Sequence, residues 1–153
     1  SVKERNKIAE LVDNSIKAGA KVLTGGKTPD GPGAFYPATV LEVDKQAEIL
    51  NHEVFGPVAP IVTFKTEAED ISLANDTEYG LVAYAFTRDL NRGLRLSESL
   101  EVGMFGLNTG IVSNPAAPFG GVKASGVGRE GGKEGIEEYL ETVYIGIADP
   151  FED

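Results

Sequence analysis

Apolar runs of strand length and segments of helical period take turns along this chain, which restricts it to folds in which helices pack on a sheet. Residues 2–18 set Ile8, Leu11, Val12 and Ile16 on one helical face and Lys7, Glu10, Asp13, Asn14 and Lys17 on the other. Gly19 follows where a C-terminal cap belongs. A short strand is expected at 21–24, a turn-rich loop at 25–34, and an extended stretch at 35–43 that Pro37 assigns to a sheet edge. Residues 58–65 (VAPIVTFK) form a nearly unbroken apolar run, the pattern of a strand covered on both faces. Thr66 and Glu69 have capping-box spacing and open a helix to about Asn75. A strand at 81–86, a helix at 90–100 and a strand at 104–108 continue the alternation. The expected class is α/β, a mainly parallel sheet with helices on its faces.

A helix at 133–140 and a last strand at 142–147 close the pattern. That strand arrives after the main alternation. Its Val143, Tyr144, Ile145 and Ile147 would leave a sticky free edge, so it is expected to pair with another sheet or another subunit.

Composition removes several function classes. The net charge of −10 repels phosphate backbones, so no nucleic-acid partner is expected. No apolar run approaches the roughly 18 residues of a membrane span, and no leader segment is visible, so no membrane partner and a cytoplasmic location are expected. The sequence holds no cysteine, hence no disulfide, no thiolate metal site and no thiol nucleophile; no metal site is expected.

Three features bear on chemistry. Gly126-Val127-Gly128-Arg129-Glu130-Gly131 fits G-x-G-x-x-G, but a loop precedes it and the chain stops soon after, so it is read as a glycine-rich turn and not as a dinucleotide fingerprint. Glu53-Val54-Phe55-Gly56-Pro57 places a carboxylate, an aromatic ring and a Gly-Pro turn just before the apolar run. A carboxylate can accept from vicinal ribose hydroxyls and an aromatic face can pack a nicotinamide ring; a solvated Glu beside a core Phe would look the same in sequence. His52, the one histidine, is read as structural or exposed. Finally, residues 109–129 make a long loop rich in Gly, Ser, Asn and Pro, and loops of that length in compact domains are usually functional.

Pro118 to Glu130 (PFGGVKASGVGRE), with Glu53 to Pro57 upstream, resembles the C-terminal half of the catalytic domain of an NAD(P)-dependent aldehyde dehydrogenase. The likeness extends to Gly19-Ala20-Lys21-Val22-Leu23 followed by Gly25-Gly26, to residues 74–81 (ANDTEYGL), to Phe86-Thr87-Arg88-Asp89 and to residues 103–108, so it covers nearly the whole chain. The resemblance implies a small-molecule aldehyde substrate, NAD or NADP as cofactor, and a homodimer or homotetramer. Residues 1–140 would be the C-terminal portion of the catalytic domain, and 141–153 an oligomerisation strand with an acidic tail.

Carried over residue by residue, Glu53 holds the nicotinamide ribose and Phe55 lies beside the ring. In the family a thiolate attacks the aldehyde, hydride passes to the nicotinamide, and a glutamate-activated water hydrolyses the thioester. An asparagine and a backbone amide hold the oxyanion. Those groups lie upstream in family members, so no catalytic residue is expected here and the isolated chain is expected to be inactive. Asn75 and Asn108 are not to be taken for the oxyanion residue. Residues 108–121 resemble the succinate-semialdehyde dehydrogenases, which implies that Ser113 bonds the substrate's distal carboxylate, with upstream arginines supplying charge, and that Phe119 shapes the substrate tunnel. Ser113 could instead cap its own turn. Lys123, Ser125 and Arg129 are expected to fix the loop and the next helix. The implied reaction is oxidation of succinic semialdehyde to succinate; the alternatives are a glutarate-semialdehyde or broad-range aldehyde dehydrogenase, or a non-catalytic binding or interaction module on the same scaffold.

Overall fold

The structure is a computed structural model that describes residues Ser1–Ala148, so the acidic tail at 149–153 lies outside the described residues. The chain divides into two compact units, Ser1–Leu73 and Ala74–Asp153.

In the first unit, α1 (Val2–Lys17) begins at Ser1, whose hydroxyl accepts from the Glu4 amide at 3.3 Å. It ends at Ala18, followed by Gly19 at φ +106°, a conformation costly for any residue with a Cβ. Strands β1 (Lys21–Thr24), β2 (Thr39–Glu42) and β3 (Val58–Ile61) form one sheet in that order. β1 runs antiparallel to β2, and β2 parallel to β3. Val12 from α1, Leu41 from β2, Val43 and Ile49 make the buried core. Leu41 and Val12 are wholly excluded from solvent.

Two strand expectations are corrected here. β2 is the middle strand, not an edge; Pro37 precedes it, where its missing N–H costs the ladder nothing. The proline inside a strand is Pro60, and β3 is the edge that tolerates it. β3 is also not covered on both faces. It alternates half-buried Val58 and Pro60 with exposed Ala59 and Ile61, and Phe64 beyond it is 52% exposed.

α2 (Glu67–Asn75) opens as its spacing foretold. The Glu69 amide donates to the Thr66 hydroxyl at 3.2 Å, while the Glu69 carboxylate accepts from the Lys65 amide at 2.7 Å and pairs with Lys45. Those bonds, the Lys45 ammonium first, hold the Glu69 carboxyl below its ordinary pKa. Burial, and then the charge of Glu67, push Asp70 the other way.

The second unit contains β4 (Tyr79–Gly80), β5 (Val82–Ala85), α3 (Leu90–Ser99), β6 (Met104–Leu107), β7 (Val122–Lys123) and α4 (Glu134–Glu137). β5 and β6 pair in parallel across α3, a βαβ crossover. β4 and β7 pair antiparallel. Asp89 caps α3 by accepting from the Arg92 amide at 3.1 Å. Gly93 lets α3 pack closely on β6; a Cβ there would lie 2.7 Å from a Leu107 methyl, which would have to shift.

The α/β class holds, but the described strands do not form one mainly parallel sheet. They form three small sheets, with two parallel and two antiparallel pairings. The helix expected at 133–140 shortens to α4, which a glycine pair at positive φ precedes and whose Ile136 packs little. Residues 142–147 form no strand; Val143, Tyr144, Ile145 and Ile147 stand in solvent. A strand exists only as part of a ladder, and no second strand for it occurs among the described residues. Among those residues, no helix is long and apolar enough to cross a membrane, and no group of three or more His, Cys, Asp and Glu could hold a metal ion.

Candidate functional site

In the first unit, the chain leaves a 3₁₀ turn (Glu48–Asn51) and folds through 52–57 by short-range bonds: Phe55 N to Glu53 O at 3.1 Å, Gly56 N to Val54 O at 2.9 Å, and Val58 N to Gly56 O at 2.8 Å. The Thr39 amide donates to Pro57 O at 2.8 Å and ties the turn to β2. Gly56 lets α1 come close: a Cβ there would lie 2.9 Å from Ile8. Val54 turns inward onto the core, so Glu53 and Phe55 turn out together.

Phe55 is 83% exposed, which rules out the reading of a core phenylalanine. The Glu53 carboxylate is exposed and has no hydrogen bond or ion pair among the described residues. Both side chains line a cleft of about 430 Å³ against α1, with Lys7, Ile8, Leu11 and Asn14 on its other wall. A carboxylate free to accept and a bare aromatic face fit a ribose and a flat heteroaromatic ring. His52 stands at the edge of the cleft, its Nε2 3.1 Å from Glu48 Oε1 and exposed, in keeping with a structural or surface role.

In the second unit, the 109–121 loop is built around Asn114, not Ser113. Asn114 Oδ1 accepts from the Ala116 amide at 2.9 Å, and its carbonyl accepts from Ala117 N at 3.0 Å. The Asn-Pro pair at 114–115 is the sequence signal that could have located this turn. Ser113 does not cap it; the Ser113 side chain is exposed and makes no hydrogen bond among the described residues.

Phe119 is held by a two-way bridge with Glu130, Phe119 N to Glu130 O at 2.6 Å and Glu130 N to Phe119 O at 2.7 Å. It lines a cleft of about 690 Å³ together with Leu81, Arg129, Glu138, Tyr139 and a run of glycines. The structure thus places Glu53 beside Phe55 in one unit, and Ser113 and Phe119 on one loop in the other.

The three residues expected to fix the loop and the next helix hold the loop, but none of their side chains bonds α4 among the described residues. Arg129 Nη1 donates to Gly121 O at 2.9 Å and to Gly128 O at 2.7 Å. Ser125 Oγ accepts from the Gly80 amide at 2.9 Å. Lys123, at φ +55°, donates to Asn75 O at 2.9 Å and pairs with Glu101 at 2.5 Å. Asn75 and Asn108 are committed to the scaffold. Asn75 Nδ2 donates to Ser99 O and its Oδ1 accepts from Glu101 N, each at 2.9 Å. Asn108 Nδ2 donates to Thr87 O at 2.8 Å and its Oδ1 accepts from Thr87 N at 2.9 Å. The G-x-G-x-x-G match contains glycines at φ +127°, +87° and +69° and leads into a helix of four residues, so it is a turn and no fingerprint.

The model of the aldehyde dehydrogenase family matches residues 1–145. The chain belongs to that family. It is 59% identical over 150 residues to a succinate-semialdehyde dehydrogenase of Paenarthrobacter nicotinovorans, covering 97% of the chain and 33% of that protein. It is 51% identical over 142 residues to a glutarate-semialdehyde dehydrogenase of Pseudomonas putida, covering 93% of the chain and 29% of that protein. A crystal structure of an Escherichia coli NADP-dependent enzyme superposes with a TM-score of 0.86 at 50% identity, over 91% of this chain and 29% of that one. The chain spans about a third of the length of the curated relatives it matches.

Proposed function

We propose that this chain supplies two parts of an aldehyde-oxidising site: the nicotinamide-ribose side, through Glu53 and Phe55, and the substrate-carboxylate loop, through Ser113 and Phe119. The reaction is oxidation of succinic semialdehyde, or a near ω-carboxy aldehyde, to the dicarboxylate with NAD or NADP. The observation that carries the substrate assignment is the uncommitted Ser113 hydroxyl, on a loop whose turn Asn114 already caps.

Each group's task follows from its chemistry. Glu53 accepts from the vicinal ribose hydroxyls, and Phe55 offers its open face to the ring. When bound, the nicotinamide supplies the hydride acceptor. Ser113 Oγ–H donates to the distal carboxylate, and Phe119, braced against Glu130, forms an apolar wall. No residue in the chain can form the thioester, because the sequence holds no cysteine; the isolated chain is therefore inactive. The exposed apolar residues Val143, Tyr144, Ile145 and Ile147 serve as a strand that pairs outside this chain, in a second copy of the protein. A glutarate-semialdehyde specificity is the second reading, favoured by the likeness to the Pseudomonas putida enzyme.

The test is a chimera in which this chain replaces the stretch it matches in the Paenarthrobacter enzyme. With Ser113→Ala, kcat/KM for succinic semialdehyde should fall about 10- to 100-fold, the worth of one hydrogen bond to a charged group, while a neutral aldehyde is unaffected. Equal losses on both substrates remove Ser113 from the substrate site. Comparing succinic with glutaric semialdehyde in the unmutated chimera decides between the two readings. NAD(P)+ reduction by the pure 153-residue chain would overturn its assignment as inactive.

A further inference from the structure

Residues 25–36 form a loop that neither candidate site uses. It is pinned at its base, where Gly26 N donates to Thr39 Oγ1 at 2.9 Å. A Cβ on Gly25 would fall 2.3 Å from Ala38 O, so that base is tightly packed. Beyond it, up to Tyr36 where the chain packs back onto the core, the backbone is not tied by hydrogen bonds: none of residues 27–36 donates one to another backbone group among the described residues. At the tip lies Asp30-Gly31, the one place in the sequence where an Asp or Asn is followed by Gly.

Four features of that tip favour attack by the Gly31 nitrogen on the Asp30 side chain. Both residues are exposed. The Asp30 carboxyl has no hydrogen bond or ion pair among the described residues. The Gly31 amide has no acceptor among the described residues. Around the Cβ position of Gly31 nothing lies within 4 Å, so no side chain blocks the ring that must form. Other aspartates are followed by bulkier residues, for example Asp13 by Asn14 within α1, Asp44 by Lys45 and Asp76 by Thr77.

We propose that Asp30 converts spontaneously to isoaspartate in the folded chain. The Gly31 amide loses its proton to solvent base and its nitrogen bonds to Asp30 Cγ. The Cγ–O bond breaks, and the oxygen leaves as water once protonated. The product is a five-membered succinimide. Water then adds back. Opening at the side-chain carbonyl restores aspartate, and opening at the backbone carbonyl leaves the chain running through the former side chain. The net change is an isomerisation with no oxidant, reductant or lost atom. It lengthens the loop backbone by one methylene and leaves a free α-carboxylate, the group that a protein-isoaspartate methyltransferase esterifies. The Gly26–Thr39 bond keeps the change away from β2.

The experiment ages the purified 153-residue chain at neutral pH and 37 °C and maps the tryptic peptide 28–45 by electron-transfer fragmentation, which distinguishes the two linkages. The synthetic peptide of the same residues gives the unprotected rate. The folded chain should form isoaspartate at Asp30 within about tenfold of that rate, because a loop without backbone hydrogen bonds needs no opening step. A rate slowed more than that overturns the proposal. Asp30→Glu should remove both the fragmentation signal and methyl acceptance; a signal that persists would assign the reaction to Asp44 and equally overturn it.

Discussion

Asn108 gives the sharpest test of how the second unit is held together. At the end of β6 the backbone turns to φ +54°, and its amide donates to Ala85 O at 2.8 Å. The side chain then acts as the next peptide group would, giving to Thr87 O at 2.8 Å and accepting from Thr87 N at 2.9 Å. Asn108→Asp preserves the shape. At neutral pH the new carboxylate keeps the acceptor role but sets a second bare oxygen against the Thr87 carbonyl. One lost donor is worth about 1 kcal/mol net, and the facing oxygens add to it, though exposure screens that repulsion; the variant should lose about 1–2 kcal/mol. Protonation restores the donor, since a carboxylic O–H can give to Thr87 O. The folded state therefore binds that proton more tightly than the unfolded chain, and the variant's folded pKa lies above the ordinary value of about 3.9. For an acid with a raised folded pKa, the penalty is complete above that pKa and shrinks as pH falls through it. Urea unfolding of native and variant chains across a pH series, followed by tyrosine fluorescence, checks the sign: the gap should close on acidification, whereas Asn108→Ala should leave it level. A gap that widens at low pH, or an Ala variant as stable as the native chain, refutes the peptide-mimic account.

Leu41→Ala should cost about 3 kcal/mol by urea unfolding followed by circular dichroism, since Leu41 is fully buried among Val12, Val43 and Ile49; a loss under about 1 kcal/mol would mean the first unit does not rest on this cluster. Tyr36 hides its hydroxyl beside the Thr39 hydroxyl, with no hydrogen bond of good geometry among the described residues; its pKa is raised, first by burial and then by Asp13, against a smaller opposing pull from the Thr39 hydroxyl. Tyr36→Phe should therefore stabilise by about 1 kcal/mol in the same assay, and a comparable loss would show that the hydroxyl has a partner. Glu69, held below its ordinary value of about 4.5, contributes stability in full above that pH, and the contribution is lost as pH falls through the lower folded value. Asp70 acts in the opposite sense, so the difference between native chain and Glu69→Gln isolates Glu69; it should shrink on acidification, and a difference constant from neutral to acid pH would refute the capping role.

The elements legible in the sequence are those whose causes are local. The stripe of α1 with its Gly19 stop, the helix expected at 90–100 and the Thr66–Glu69 start of α2 each depend on residues within one or two turns, and each formed where expected. Sheet environment is not local. The apolar run at 58–65 was expected to be covered on both faces, yet composition cannot say what covers a strand, and Ile61 and Phe64 remain bare. The same holds for 142–147, whose pattern is that of a strand but whose partner is not among the described residues. Pro37 pointed to an edge that Pro60 occupies, because a proline marks a missing donor without saying which strand misses it. In the candidate site five residues were enough to single out Glu53 and Phe55 as candidates, and the structure turns both side chains into one cleft. The work of Asn75 and Asn108 could not be read, since their partners lie 24 to 26 and 21 residues away.

Within each unit the candidate groups are held by backbone bonds and by neighbours, not by their own side-chain polar atoms. Residues 52–57 are fixed through Thr39 N, Pro57 O and the Gly56–Ile8 approach, which leaves the Glu53 carboxylate and the Phe55 ring free. Residues 113–119 are fixed through Asn114, the Phe119–Glu130 bridge and Arg129, which leaves the Ser113 hydroxyl free. An exposed polar group bonded to water costs the fold nothing, and it can exchange that water for a ligand atom without first breaking an internal bond. Had Ser113 capped its own turn, every carboxylate it bound would have had to offset the loss of that cap. The division of labour between Ser113 and Asn114 removes that penalty. If Ser113 has the proposed role, replacing Asn114 should loosen the loop and weaken binding of every substrate alike, while replacing Ser113 should be felt by carboxylated substrates alone.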